Sequence, residues 1–422
     1  MRILQPLRGR SMALLWGGLS LSAVGDQLYA VALTWIAVGA LGSNAGYLTA
    51  LQALIALLAV LSVGAWADRW EQARAMIAAD LASAAVLLGV VASSLASGRT
   101  GVISLACAIV VLSLGQAVFK PALQAVIPTV VDDPRLLPAA NGLLDATQRI
   151  ARLMGPGVVA LLVSVLPVIH FLTLDAFTFL ASAAALSLIR RRRVAPPASV
   201  RRAREPVWSG ITRGYKATAN HPLLGYYLSV SGVLNGAWFA VYYLCLPLMI
   251  ARAGVEASGR SGLGSYGLIL SAYGCGNLAA TVFLGGRALP ARPQFLISGG
   301  NIQTGCGILL LAVANFLPGE WRLAGFALAA AVGAMGGPMQ DIPTAVLRQT
   351  RIAAADRAAA MRATMAVVCM GVLIAMMLTP SLVALIGVTR TIVACGAVYL
   401  CVAALGLVRL ARWREAALEQ SV

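Results

Sequence analysis

Charge is scarce in this chain of 422 residues. Asp, Glu, Lys and Arg together make up 11% of it, against about 25% in soluble globular proteins, and a soluble surface needs more than that. Histidine is rarer still: His170 and His221 stand too far apart for the paired-histidine helix of a zinc hydrolase. The only lysines are Lys120, followed by Pro121, and Lys216, followed by Ala217, so no Gly-Lys-Ser/Thr phosphate loop exists and ATP does not drive the protein through such a site. The seven cysteines all lie in apolar stretches and none forms a C-x-x-C pair. They read as small packing residues, which excludes a disulfide framework or a zinc site.

What the chain has in abundance is apolar sequence, at 60% of all residues. It is arranged in runs over 12–40, 46–66, 75–97, 101–124, 140–165, 168–189, 223–250, 263–285, 294–314, 322–343, 359–385 and 388–410. A helix rises about 1.5 Å per residue and the hydrocarbon core of a bilayer is about 30 Å thick, so each run spans it once. The expected class is an all-α integral membrane protein with twelve transmembrane helices, embedded in lipid. Arg2, Arg8 and Arg10 precede the first run as they would in a signal peptide, but the run is too long for one and is expected to be a retained first helix.

A net charge of +17 invites nucleic acid as a partner, and the positions of the basic residues exclude it. With the N-terminus placed in the cytoplasm, only Arg99, Arg252, Arg260, Arg322 and Arg390 of the 32 fall outside. That asymmetry follows the positive-inside rule and predicts a multi-pass protein with both termini cytoplasmic.

Six runs lie on each side of one polar interval, which divides the chain into a half over 1–189, a cytoplasmic linker over 190–222 and a half over 223–422. The linker carries Arg190 to Arg193, Pro196-Pro197 and Arg201, Arg202 and Arg204, and an amphipathic piece of it is expected on the anionic leaflet. The halves are related in sequence. Leu19-Ser20-Leu21-Ser22-Ala23-Val24-Gly25-Asp26 aligns with Leu228-Ser229-Val230-Ser231-Gly232-Val233-Leu234-Asn235, with Asp replaced by Asn. Parallel six-helix repeats with a substrate site near the midplane are a transporter architecture.

Three stretches carry a resemblance to a known family. They are Gly25-Asp26 with Tyr29; Gly64-Ala65-Trp66-Ala67-Asp68-Arg69, similar to the loop motif G-x-x-x-D-R-x-G-R-R; and Asn141 with Gly155-Pro156-Gly157, similar to a Gly-Pro antiporter motif. On these the chain resembles the major facilitator superfamily, and within it the bacterial enterobactin exporter and macrolide efflux group. The resemblance implies the major facilitator fold, no enzymatic activity and no cofactor. It also implies secondary active export of a small amphipathic molecule such as a drug, siderophore or secondary metabolite, by alternating access. Import, lipid movement, and a non-transporting sensor or scaffold are the other readings. The chain departs from the motifs at Glu71, where glycine is usual, and in keeping only Arg74 of the later basic residues.

Asp26 is the deepest acid, about 14 residues into the first run. A charge at a helix centre costs roughly 2.5–3.5 kcal/mol on insertion scales, so it needs a partner, water or a proton. Ser22 and Tyr29 share its face. Asp26 is therefore a candidate for coupling to protons or another cation, with a structural hydrogen bond as the alternative. Ser22 and Tyr29, with the stripe Ser231, Asn235, Trp238 and Tyr242 in the second half, are candidate substrate ligands. Asp68, Arg69 and Arg74, with Asp145, Arg149 and Arg152 on one face of the fifth helix, form a candidate cytoplasmic gate. Asp145, Arg149 and Arg152 also fit an interfacial ion pair with snorkelling arginines. Gly155 and Pro156 let the fifth helix approach its neighbour and bend. Lys120 is expected to snorkel, Asp80 and Asp175 to bond between helices, and Asp341 to be interfacial. Gly274-Cys275-Gly276-Asn277-Leu278-Ala279 matches a dinucleotide pattern but has no strand before it, so helix packing is the expected role. No metal site is expected, and the protein is read as a monomer.

Overall fold

The computed structural model describes residues 2–66, 71–131, 133–191, 207–252, 262–285, 287 and 290–410. Asp68 and Arg69 lie outside the described residues. Those described are helical with short connections, and none is in a strand. In a bilayer the backbone must satisfy its own hydrogen bonds, and helices do so within each segment.

The chain forms two compact units, Met1–Val207 and Trp208–Val422. The first holds α1 (Arg10–Leu41), α2 (Ala45–Trp66), α3 (Gln72–Ser97), α4 (Val102–Val130), α5 (Leu137–Leu162) and α6 (Ile169–Arg191). Glycines end two of the breaks cleanly: α1 stops at Gly42 (φ 57°) and α3 at Gly98 (φ 70°), in the positive-φ region that a Cβ disfavours. α1 packs on α5 and α6, α3 on α4 and α6, and α2 on α4. Where α1 and α3 begin and α4 and α6 end, Met12, Leu15, Met76, Ile127, Val130 and Ile189 form a buried cluster.

The linker interval contains α7 (Val207–Ala219), which docks within the second unit. Arg213 Nε pairs with Asp356 at 3.1 Å, and a side chain on Gly214 would collide with the backbone of Ala359. The second unit continues with α8 (Pro222–Ala240), a π turn at Val241–Cys245 and α9 (Leu246–Arg252), which together make one run of 31 residues. Then follow α10 (Gly262–Gly285), α11 (Pro293–Ala314), α12 (Gly319–Ala334), α13 (Gly336–Arg351), α14 (Arg357–Ile386) and α15 (Val388–Leu410). α12 and α13 also read as one span, interrupted at Met335. α8 packs on α14, α11 on α15, and α10 and α11 on α12.

Ten helical stretches among the described residues are long and apolar enough to cross a membrane, and the first of them contains both α1 and α2. The twelfth span is α5, whose 26 residues include Asp145, Arg149 and Arg152 and so fall below that apolarity. The expected all-helical, twelve-span class is the one found.

Candidate functional site

Asp26 is the seventeenth of the 32 residues of α1 and only half-buried, whereas Tyr29, one turn on, is 7% exposed and Ser22, one turn back, 9%. The carboxylate of Asp26 has no ion pair at contact distance among the described residues. Lys120 of α4, exposed as a snorkelling lysine would be, is the cation that acts on it through space.

Two further acids come to the same place. Asp175 of α6 is 0% exposed and Asp80 of α3 is 3% exposed. Asp26 acts electrostatically on both, and Asp80 also acts on Asp175. Asp80 takes a hydrogen bond from Ser182 of α6, the interhelical bond expected of it. Asp175 behaves differently, because its donor, Thr178 Oγ1 at 3.1 Å, is on its own helix. α1 can lie this close to α6 because residue 25 is glycine: any side chain there would run into Asp175 Oδ1 and Thr178 Oγ1. The sequence shows each acid as an isolated break in an apolar run. Their convergence depends on which helices are neighbours, and that was not readable from spacing.

Asp145 and Arg149 pair at 2.8 Å on α5, with side chains 60% and 61% exposed, and Arg152 Nε donates to the Gln148 carbonyl at 3.3 Å. They form an open row along the helix. Beside them is a cavity of about 380 Å³ between α1, α4 and α5, lined by Leu19, Leu123, Gln124, Ile127, Asn141, Leu144, Asp145, Thr147 and Gln148. Trp16 Nε1 donates to Thr147 Oγ1 at 3.0 Å and ties α1 to α5 next to it. Gly155 is buried against Gln27, where a Cβ would overlap the glutamine side chain, so the Gly-Pro step of α5 sits on the neighbour of Asp26.

Glu71, the residue that departs from the loop motif, is a junction. Its Oε2 pairs with Arg74 at 2.7 Å and its Oε1 with Arg190 of α6 at 2.6 Å. The gate role expected of Arg74 does not include this partner. The cue was the pairing of a lone acid with the arginines at the end of the sixth run.

In the second unit, Ser231 is 1% exposed and donates to the Leu228 carbonyl at 2.9 Å, and Asn235 Nδ2 donates to the Ser231 carbonyl at 2.9 Å. Tyr242 is 0% exposed, inside an aromatic cluster. Its ring lies 4.8 Å from Tyr273 and 5.3 Å from Trp238, whose Nε1 donates to the Tyr273 hydroxyl at 3.0 Å. The π turn at Val241–Cys245 widens the helix here and sets the Tyr242 carbonyl to receive the Tyr266 hydroxyl at 2.8 Å. Trp238 and Tyr273 keep part of their rings exposed. Asp341 takes a hydrogen bond from the Tyr227 hydroxyl at 3.3 Å. Gly276 packs on the backbone of Ala331, the helix-packing role expected for the glycine pattern in α10.

Two units of six spans each, with polar groups buried inside both, define a helical membrane transporter rather than an enzyme. The profile of the Major Facilitator Superfamily matches residues 15–355, and the chain belongs to that family. Solved structures with the same fold include a peptide transporter of the POT family in complex with a thioalcohol-conjugated peptide (TM-score 0.70, 13% identity, 97% of this chain and 99% of that one). A bacterial homologue of the iron transporter ferroportin in an inward-facing state also matches (0.66, 14%, 96% and 98%). So does the nucleoside transporter NupG (0.68, 13%, 94% and 99%). No curated protein matches the chain.

Proposed function

We propose that this protein is a proton-coupled exporter of small amphipathic molecules, in the manner of the enterobactin and macrolide export group, in a bacterial inner membrane with both termini cytoplasmic. The observation that carries the reading is Asp26: a partly buried acid at the middle of a membrane helix, with Lys120 near enough to act on it. An ionised carboxylate there costs roughly 2.5–3.5 kcal/mol unless it is balanced. Lys120 balances the anion, and a proton removes the charge. Exchange between these two states links proton movement to the switch between the two faces, since each state favours a different conformation. The cavity beside Asp145, mostly apolar with amide and hydroxyl groups at its wall, suits an amphipathic cargo by size and by chemistry. Working as a monomer, the protein would close its cytoplasmic side through Asp68, Arg69 and the α5 row.

The test pairs two assays in the same proteoliposomes. Asp26→Asn is expected to fold, because Asn235 occupies the repeat-related place, and to lose proton-gradient-driven transport while keeping substrate counterflow. Full retention of gradient-driven transport removes Asp26 from coupling. Loss of both activities in folded protein makes it a binding or structural residue.

A further inference from the structure

Asp175 and Asp80 carry a feature that the role of Asp26 leaves unused. Among the described residues neither Asp175 Oδ2 nor Asp80 Oδ2 has a hydrogen-bond partner, and both residues are more than nine-tenths buried. The groups facing Asp175 are Asp26 and Tyr29 from α1 and Asp80 from α3. Lys120 of α4 acts on Asp26. Three acids and one lysine cannot all be ionised inside a bilayer, because each uncompensated charge costs roughly 2.5–3.5 kcal/mol. Lys120 offsets one. Carboxylates that interact this closely take up and release protons as a set, in steps that belong to the set rather than to one residue.

The packing makes Asp175 the partner of Asp26. Its carboxylate lies against the backbone of Gly25, the residue next to Asp26, and Thr178 holds it there through Oδ1 while Oδ2 stays open. We propose that Asp175 is a second proton-exchanging group of the coupling site, sharing protons with Asp26, so that more than one proton moves per transport cycle. This rests on the coupling role of Asp26 given above. The step moves a proton from the carboxyl of Asp26 to a carboxylate oxygen of Asp175, breaking one O–H bond and forming another. It leaves Asp26 anionic opposite Lys120, ready to load again.

The experiment needs no substrate. Purified full-length protein in lipid is titrated with pH while the C=O stretch of protonated carboxyls is followed by infrared difference spectroscopy, with thermal unfolding as the control for folding. Wild type is expected to show two steps from the Asp26–Asp175 pair beside the contribution of Asp80, and Asp26→Asn and Asp175→Asn each to keep only one of those two steps, at a shifted midpoint. If Asp175→Asn reproduces the two wild-type steps, Asp175 is a structural hydrogen-bond partner and the proposal fails. Should Asp175→Asn not fold, Thr178→Val replaces it: two steps with one displaced midpoint support sharing, and wild-type midpoints overturn it. Sodium added at fixed pH is expected to leave the carboxyl signal unchanged, and a sodium-induced loss of signal would make the site a cation site and overturn proton sharing. Failure of the coupling role itself shows separately, as gradient-driven transport retained by Asp26→Asn.

Discussion

Glu71 changes what its loop can do. A glycine there would give the loop freedom, whereas the glutamate gives it two arginine partners, one on its own helix and one at the end of α6. The pairs are partly open to solvent, at 33% for Glu71 and 38% for Arg190, so each is worth about 0.2–1 kcal/mol, and sharing one carboxylate ties α3 to α6. A double-mutant cycle of Glu71→Gln and Arg190→Gln, read by thermal unfolding, is expected to give a coupling of about 0.5 kcal/mol that shrinks in high salt. A coupling of zero at low salt would show the two groups to be independent. At this scale the sequence shows single polar residues: Asp26 is marked by its place in the middle of the first run, although the fold buries Asp175 and Asp80 more completely, and the aromatic stripe from Trp238 to Tyr242 is visible as a face. It did not reveal partners. Asp175 meets Asp26 only because glycine at 25 lets α1 and α6 close, and Thr178 and Ser182 become ligands of the acids only once α6 packs between α1 and α3.

Helices as units follow from length and apolarity, and ten of the twelve expected runs agree with the observed spans within three residues at each end, while α4 and α13 extend six and eight residues further. Two features inside the spans escape that reading, each for a physical reason. α5 is amphipathic, because one of its faces carries Asp145, Arg149 and Arg152 and the other meets α1. The π turn in the seventh span adds a residue to one turn, a local widening to which apolar periodicity is blind. The contact of α5 with α1 makes a clear contrast within one helix. Gly155→Ala would force a methyl into Gln27, and overpacking of this kind costs about 1–3 kcal/mol. Gly142→Ala meets nothing within 4 Å, and its effect should stay near zero or be slightly stabilising. Thermal unfolding of the two variants in the same detergent is expected to show a clear drop for Gly155→Ala alone. Since Gln27 adjoins Asp26, transport should fall with it, and equal melting temperatures would mean that α5 yields freely.

For the whole molecule, orientation in the membrane is the property that most constrains function, since export and coupling both presuppose it. Of the 32 basic residues, 27 lie on the side assigned to the cytoplasm. Reporter fusions after residue 204 and after residue 414 are expected to report cytoplasm, and a fusion near residue 259 periplasm. A periplasmic signal after residue 204 would reverse the assignment and, with it, the direction proposed for proton loading at Asp26.

The seam between α8 and α14 in the second unit is made of backbone. A side chain on Gly371 would strike the Gly232 backbone, and one on Gly232 would lie 2.8 Å from the Val367 carbonyl oxygen. Such a contact draws its strength from dispersion and close-range polar contacts between main chains, not from the release of ordered water, because the alternative neighbour is a lipid tail as apolar as any side chain. Associations driven by water weaken on cooling. This one has no such dependence, so the seam between α8 and α14 is expected to hold its strength on cooling.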